Sequence, residues 1–199
     1  MTDLDKNSDK NLYIYQLRST ILKYIHDKPK LRMMKKGQKI NNCSPKIVVV
    51  TACGKRKENT PLPAWELYKS SRIKAIYRNS KNCDVKILTA KYGLIDADEI
   101  IGPYDKKMDE KRARTLVSKI AKKLRKYDFV IYYKAGASKV YMECIKKACE
   151  LLEKPLIVCG YNIIGGINDI PPIIKYLSEN KVESIKEFKH VSFYNFVKA

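Results

Sequence analysis

Histidine is nearly absent: His26 and His190 are the only two in 199 residues, and they sit at opposite ends of the chain. A Ser-His-Asp triad, a His-assisted cysteine protease or a His-rich zinc centre needs imidazole inside the fold, and residues 27–189 supply none. The six cysteines, Cys43, Cys53, Cys83, Cys144, Cys149 and Cys159, include no Cys-x-x-Cys pair and lie mostly in or beside apolar runs. They read as reduced thiols and not as a disulfide framework. No apolar stretch approaches the roughly 20 residues needed to cross a bilayer. The chain also opens without a hydrophobic signal segment. The expectation is therefore a cytoplasmic protein with no membrane contact. Acidic residues are scarce as well, 21 against 41 Lys and Arg, for a net charge of +20. That excess goes beyond what solubility asks for and points to a nucleic acid or a nucleotide-like anion as partner. No metal or cofactor motif is present, so no cofactor is expected. Chemistry here must use Lys, Cys, Tyr or carboxylates.

The apolar pattern sorts the chain into two parts. Residues 1–45 read as a basic appendage, with a helix from about Asn11 to His26 followed by Lys28–Lys39, which is either a solvated linker or an arm lying along phosphates. From Lys46 the period changes. Ile47-Val48-Val49-Val50 is a β-branched run without alternation, as expected of a strand buried on both faces of a parallel sheet. Further strands are predicted at Val85–Leu88, Phe129–Tyr133 and Leu156–Cys159, alternating with helices over Trp65–Asn79, Lys106–Tyr127, Ser138–Leu152 and Asp169–Leu177. This alternation implies βαβ units. Residues 46–199 should form one α/β domain, a three-layer, mainly parallel, four- to five-stranded Rossmann-like sheet carrying the N-terminal helical arm.

In open parallel sheets the ligand crevice lies beyond the carboxyl ends of the strands. Each predicted strand ends in a glycine, Gly54, Gly93, Gly136 or Gly160, and Gly102, Gly165 and Gly166 fall in the same loops. Close backbone approach to a ligand and ordinary turn chemistry both account for them. The first loop, Cys53-Gly54-Lys55-Arg56-Lys57, packs three cations together, an arrangement that an anionic ligand would relieve. It lacks the Gly-x-x-x-x-Gly-Lys-Ser/Thr spacing of a P-loop. Cys53 is a nucleophile candidate because adjacent cations favour a thiolate, or else a small buried apolar residue. Lys57 or Lys55 could instead attack an electrophilic carbon. The second loop adds Lys91, Tyr92 and Gly93, then Asp96, Tyr104 and Asp105. Its carboxylates are candidates for proton transfer and its phenols for stacking on a base, while Asp105 could equally cap the next helix. The third loop brings Gly136 and Ser138 to a helix start, where backbone amides can hold an anion. The fourth, with Gly165 and Gly166, suits closure over a flat ligand. Substrate-binding candidates are thus Gly54, Lys55, Lys91, Tyr92, Gly93, Tyr104, Gly136, Ser138, Gly165 and Gly166. The catalytic ones are Lys57, Cys53, Asp96 and Asp105.

Cys53-Gly54-Lys55-Arg56-Lys57, Glu66-Leu67-Tyr68, Leu88-Thr89-Ala90-Lys91-Tyr92-Gly93-Leu94-Ile95 and Pro103-Tyr104-Asp105, in that order, resemble a prokaryotic and phage domain family of unknown function. Its members read Cys-Gly-x-x-Lys, Glu-Leu-Tyr, Ser-Ala-Lys-Tyr/His-Gly-Leu and Pro-Tyr-Asp. The resemblance extends to Ala135-Gly136, Tyr141 and Gly165-Gly166-Ile167, over about residues 46–177, and implies a site at the strand ends without naming a reaction. Cys53 to Lys57 also has the Cys-to-Lys spacing of the archaeosine synthase catalytic domain, whose lysine attacks the nitrile of a deazaguanine base. Here Ala52 stands in place of that motif's Pro, and Glu58-Asn59 in place of its Pro-Tyr. The expectation is an enzyme directed at a nucleobase or nucleotide, with a non-catalytic nucleic-acid-binding module as the alternative. A Cys53-based redox or acyl-transfer enzyme is a third reading, disfavoured by the missing central histidine.

Overall fold

A computed structural model of the chain describes residues 44–160, 166–179, 191–194 and 196. The predicted N-terminal helix and Gly165 lie outside the described residues. The element order is β1 (Ile47–Ala52), β2 (Leu62–Pro63), α1 (Ala64–Leu67), α2 (Ser71–Asn79), β3 (Asp84–Thr89), β4 (Gly93–Asp96), β5 (Ile100–Ile101), α3 (Glu110–Leu124), β6 (Phe129–Tyr133), α4 (Lys139–Leu151), β7 (Leu156–Cys159), α5 (Ile170–Ser178) and β8 (Ser192–Tyr194).

The main sheet has the order β4-β3-β1-β6-β7-β8. Strands β3, β1, β6 and β7 run parallel, and β4 and β8 are antiparallel edges. Every residue of β1 is buried, because helices cover both faces of the sheet. The twofold side-chain period of a strand divides the core into two layers. Val48, Val50, Val130, Tyr132, Leu156 and Val158 pack against α3 and α4. Ile47, Val49, Ile131 and Ile157 pack against α2 and α5. Each such side chain removed from water contributes about 1.5–3 kcal/mol before chain entropy is subtracted. The expected three-layer, mainly parallel α/β architecture is what forms. No helix among the described residues is long and apolar enough to cross a membrane.

Three local departures from the sequence reading matter for the site. The helix expected over Trp65–Asn79 breaks at Tyr68, which turns extended at ψ 121 and forms an antiparallel bridge with Lys57. Ser70 then restarts the helix, its hydroxyl accepting from the Ile73 amide. The helix expected from Lys106 begins only at Glu110, where Asp109 accepts from the Arg112 amide at 2.6 Å, so Asp109 and not Asp105 is its cap. The stretch after β3 folds back as β4. Thr89 Oγ1 accepts from the Tyr92 amide at 2.9 Å and donates to the Gly93 carbonyl at 3.1 Å, and Gly93 takes φ +77° to close the turn.

Candidate functional site

The first basic loop leaves β1 and is tied to neighbouring backbone on two sides. The Cys53 amide donates to the Leu88 carbonyl at 2.9 Å, while the Glu58 amide donates to Leu67 and the Lys69 amide to Arg56, at 2.8 and 3.0 Å. This short pairing is why the helix had to break at Tyr68, and it fixes where Lys57 points. Lys57 Nζ lies 4.5 Å from the Tyr104 ring centroid and 5.8 Å from that of Tyr68. Its hydrogen bond is to the Lys55 carbonyl at 3.2 Å, and among the described residues no carboxylate pairs with it. Lys91 Nζ approaches Tyr104 as well, at 5.7 Å, and Tyr92 at 4.9 Å. Tyr92 meets Tyr104 edge to face at 5.4 Å. Tyr104 is therefore approached by two ammonium groups, each contact worth about 0.5–1 kcal/mol at an exposed position.

Beneath the cations lies a cluster of phenols around one thiol. Cys53 Sγ is 3.3 Å from Tyr141 Oη, and Tyr68 Oη is 2.8 Å from Tyr104 Oη. Burial, followed by the neighbouring phenols and thiol, pushes the Tyr68 hydroxyl far above the ordinary phenol range. Burial and Cys53 do the same for Tyr104 and Tyr141. These phenols stay protonated at neutral pH and are hydrogen-bond donors. Arg72 completes the group from α2. Its guanidinium donates to the Ala52 carbonyl at 2.9 Å and to the Ala135 carbonyl, joining the ends of β1 and β6. Desolvation lowers its pKa, and among the described residues no carboxylate offsets its charge.

Several of the expected site residues thus meet: Cys53, Lys57, Lys91, Tyr92 and Tyr104. Lys55 is exposed at the rim. Gly54 backs onto Tyr68, whose Cβ would stand 3.2 Å from an added methyl. Gly136, at φ +71°, lies against the Arg72 guanidinium. Ser138 precedes α4 but makes no capping hydrogen bond. Gly166 packs on the Gly160 backbone instead of facing outward. Asp96 does not join the cluster. Because β4 runs back along β3, Asp96 lies beside Lys86, near the beginning of that strand, and pairs with its ammonium group. Asp105 is exposed, one residue beyond Tyr104. Arg72, Tyr68 and Tyr141 were not singled out as site residues from the sequence. Tyr68 and Tyr141 stand in the shared motifs, whereas nothing local marks Arg72, whose reach depends on how α2 crosses two strand ends.

Two open depressions lie elsewhere. One of about 390 Å³ is lined by Tyr77, Cys83, Asp84, Asp96 and Asp98, and one of about 590 Å³ by Arg78, Lys81, Pro171 and Lys175. Both sit toward the amino ends of the strands, where side chains pair with each other, as in Tyr77 Oη donating to Asp98 at 2.5 Å. The strand-end cluster, where phenols, a thiol and two lysines converge, is the better candidate site. Among the described residues no three His, Cys, Asp or Glu side chains are placed to share a metal ion.

No match was found among curated proteins, and none among solved structures. A family model does match, over residues 48–157, a stretch that contains β1 from Val48 on, the basic loop, Arg72, Lys91, Tyr104 and Tyr141. The chain therefore belongs to a family of unknown function (DUF6884).

Proposed function

We propose that the protein is an enzyme directed at a nucleobase or nucleotide, including one held within a nucleic acid, and that it works at the carboxyl ends of the parallel strands. The observation that carries this reading is Lys57, an ammonium group held over Tyr104 and Tyr68 with no carboxylate partner among the described residues, in the same cluster as Cys53 and Lys91. An electron-poor ring with an anionic substituent is the complement of such a site: cations for the charge, phenol faces for stacking, phenol hydroxyls as donors. In this reading Lys57 is the nucleophile or electrostatic stabiliser, and Cys53 and Lys91 shape the field around it. With Asp96 paired to Lys86, proton movement falls to Tyr104 and Tyr141, or to Asp105 at the rim. The Cys53-to-Lys57 spacing makes a nitrile-bearing deazaguanine one base to try. Addition of the lysine amine to the nitrile carbon gives an amidine, with a proton passing to nitrogen and no group lost, so the protein gains the whole mass of the base.

The test is intact-protein mass spectrometry after incubation with transfer RNA, DNA and a panel of bases that includes this nitrile. An adduct in the wild type that is missing in Lys57→Ala supports the assignment. An adduct that persists in Lys57→Ala removes Lys57 from its role.

A second reading, a nucleic-acid-binding module without turnover, draws on α3 and the residues flanking it. Exposed Lys106, Lys107, Lys111, Lys119, Lys122 and Arg125 face Asp105, Asp109 and Glu110 as the acids nearby in sequence. It requires log affinity to fall with log salt by about 0.7–0.9 per phosphate contacted.

A further inference from the structure

Helix α3 runs the full length of the sheet. Its first turn lies at the carboxyl ends of the strands, where Arg112 donates to the Ala90 and Lys91 carbonyls at 2.8 and 2.7 Å and clamps the loop that carries Lys91. Its far end lies at the amino ends, where Lys126, just past the helix, pairs with Asp84 at the start of β3. The apolar face, with Ala113, Leu116, Ile120 and Leu124, is buried in the core. On the outer face Lys111, Thr115, Ser118, Lys119, Lys122 and Arg125 follow one another at helical spacing, and all are exposed. At 1.5 Å per residue this row is about 21 Å long. No Asp or Glu stands between Glu110 and Asp128. Of the acids just before the row, Asp105 is exposed, Asp109 caps the helix and Glu110 pairs with Arg114. Among the described residues no carboxylate pairs with Lys111, Lys119, Lys122 or Arg125. The adjoining helix α4 differs, since it sets Glu143 and Glu150 among Lys139, Lys146 and Lys147, the mixed surface of an ordinary solvated helix. Like charges three and four residues apart oppose a helix, and an external polyanion relieves that repulsion.

The row is continuous with the strand-end cluster. Between Tyr104, which Lys57 and Lys91 approach, and Lys111 at the head of the row, the chain exposes Lys106 and Lys107 and buries Met108. Phosphates lying along α3 therefore lead to the phenols on which a base would stack. A lipid surface fits less well, because the apolar face of α3 is turned into the core and the outer face offers nothing to enter a bilayer. A duplex fits less well, because a base reaches a site of this kind only when unpaired. We propose that the outer face of α3 is a track for the phosphate backbone of a single nucleic-acid strand, leading one of its nucleotides into the strand-end cluster. The destination rests on the nucleobase reading above, and it makes the substrate a nucleotide within a strand and not a free one.

The probes are a labelled single-stranded DNA of about 12 nucleotides, its duplex, and an abasic strand of the same length. The full chain is compared with a variant carrying Lys111→Gln, Lys119→Gln and Lys122→Gln. A control carries Lys81→Gln, Lys147→Gln and Lys175→Gln, exposed lysines outside α3 whose loss lowers the net charge equally. Both variants should melt at the wild-type temperature, since every change lies on the surface. The α3 variant should lose about tenfold or more in affinity for the single strand, and its slope of log affinity against log salt should flatten by about 0.7 for each phosphate contact removed. The control should change little. Equal losses in the two variants would show that net charge alone draws the strand, which overturns the track, as does an unchanged slope in the α3 variant. Duplex bound as tightly as single strand overturns it too. So do phosphatidylserine vesicles that bind the wild type and not the α3 variant while the strand binds neither. An abasic strand bound as tightly as the intact one removes the base from the cluster and with it the nucleobase reading, and the salt slopes still decide the track.

Discussion

Cys53 Sγ and Tyr141 Oη lie 3.3 Å apart although 88 residues separate them in the chain. The contact joins the loop after β1 to the first turn of α4. Arg72 reaches the same strand end from α2, on the other face of the sheet. Groups from both helical layers therefore meet at the end of β1.

The remaining described thiols are of a different kind. Burial pushes Cys83 and Cys144 up to about 11, and Cys149 and Cys159 up to about 12. At pH 8 all four are protonated, and Cys144, Cys149 and Cys159 are buried as well, so they should alkylate slowly. Iodoacetamide applied to the native protein should modify Cys53 well before any of them, with the difference vanishing in urea. Peptide mapping that finds Cys149 or Cys159 modified early in the native state would contradict this.

Lys86 is buried, and its partner Asp96 is about half exposed. Removing the carboxylate leaves a buried ammonium group without compensation, so Asp96→Asn should cost about 1 kcal/mol, at the low end for a lost charged partner because water still reaches this edge. Lys86→Met, which removes the buried charge as well, should cost less. Urea unfolding of both variants measures the order. On the proposed function neither change should alter nucleotide affinity, since the pair stands at the other end of β3. Weakened binding in Asp96→Asn would return this carboxylate to the site.

Gly160 holds φ +77°, and a methyl group there would stand 2.6 Å from the Tyr133 ring. Gly160→Ala therefore combines left-handed strain with a clash and should lose about 2–4 kcal/mol. Gly102 has nothing within 4 Å of an added methyl. Gly102→Ala should stay within about 0.5 kcal/mol of wild type. Equal stability losses would show that loop position and not local geometry sets the need for glycine.

Asp84 accepts from the Tyr127 hydroxyl and lies 3.2 Å from Lys126 Nζ, which together hold its carboxyl below the usual range against an opposing effect of burial. A lowered folded-state pKa contributes stability that is present above the unfolded value, about 3.9, and is lost as the pH falls through the folded value. Tyr127→Phe should thus be destabilised at pH 7 and show a shallower further loss below about pH 4. Urea midpoints at pH 7 and pH 3 test it. Parallel acid limbs in the two proteins would exclude this pair as a source of acid sensitivity.

The parts of the fold legible in the sequence were those set by local apolar pattern. Ile47-Val48-Val49-Val50 announces a strand covered on both sides, and Phe129–Tyr133 and Leu156–Cys159 do the same. Edge strands carry no such run. Gly93–Asp96 looked like loop because its pairing with β3 rests on one threonine hydroxyl and one glycine turn. Ser192–Tyr194 pairs with β7 across a long stretch of intervening chain, which no local pattern records.

The same division holds at the site. The sequence by itself determined that cations, phenols and a thiol gather at strand ends, because the βα alternation of a parallel sheet brings its loops to one edge. It also fixed the absence of histidine from the middle of the chain. Tertiary structure alone decided which of these groups touch. The antiparallel return of β4 carried Asp96 away to Lys86, and the break at Tyr68 aimed Lys57 at Tyr104. The crossing of α2 set Arg72 between Ala52 and Ala135. Spacing along a chain encodes the period of an element, whereas contact across a sheet depends on how separate elements pack, and that information is spread over the whole core.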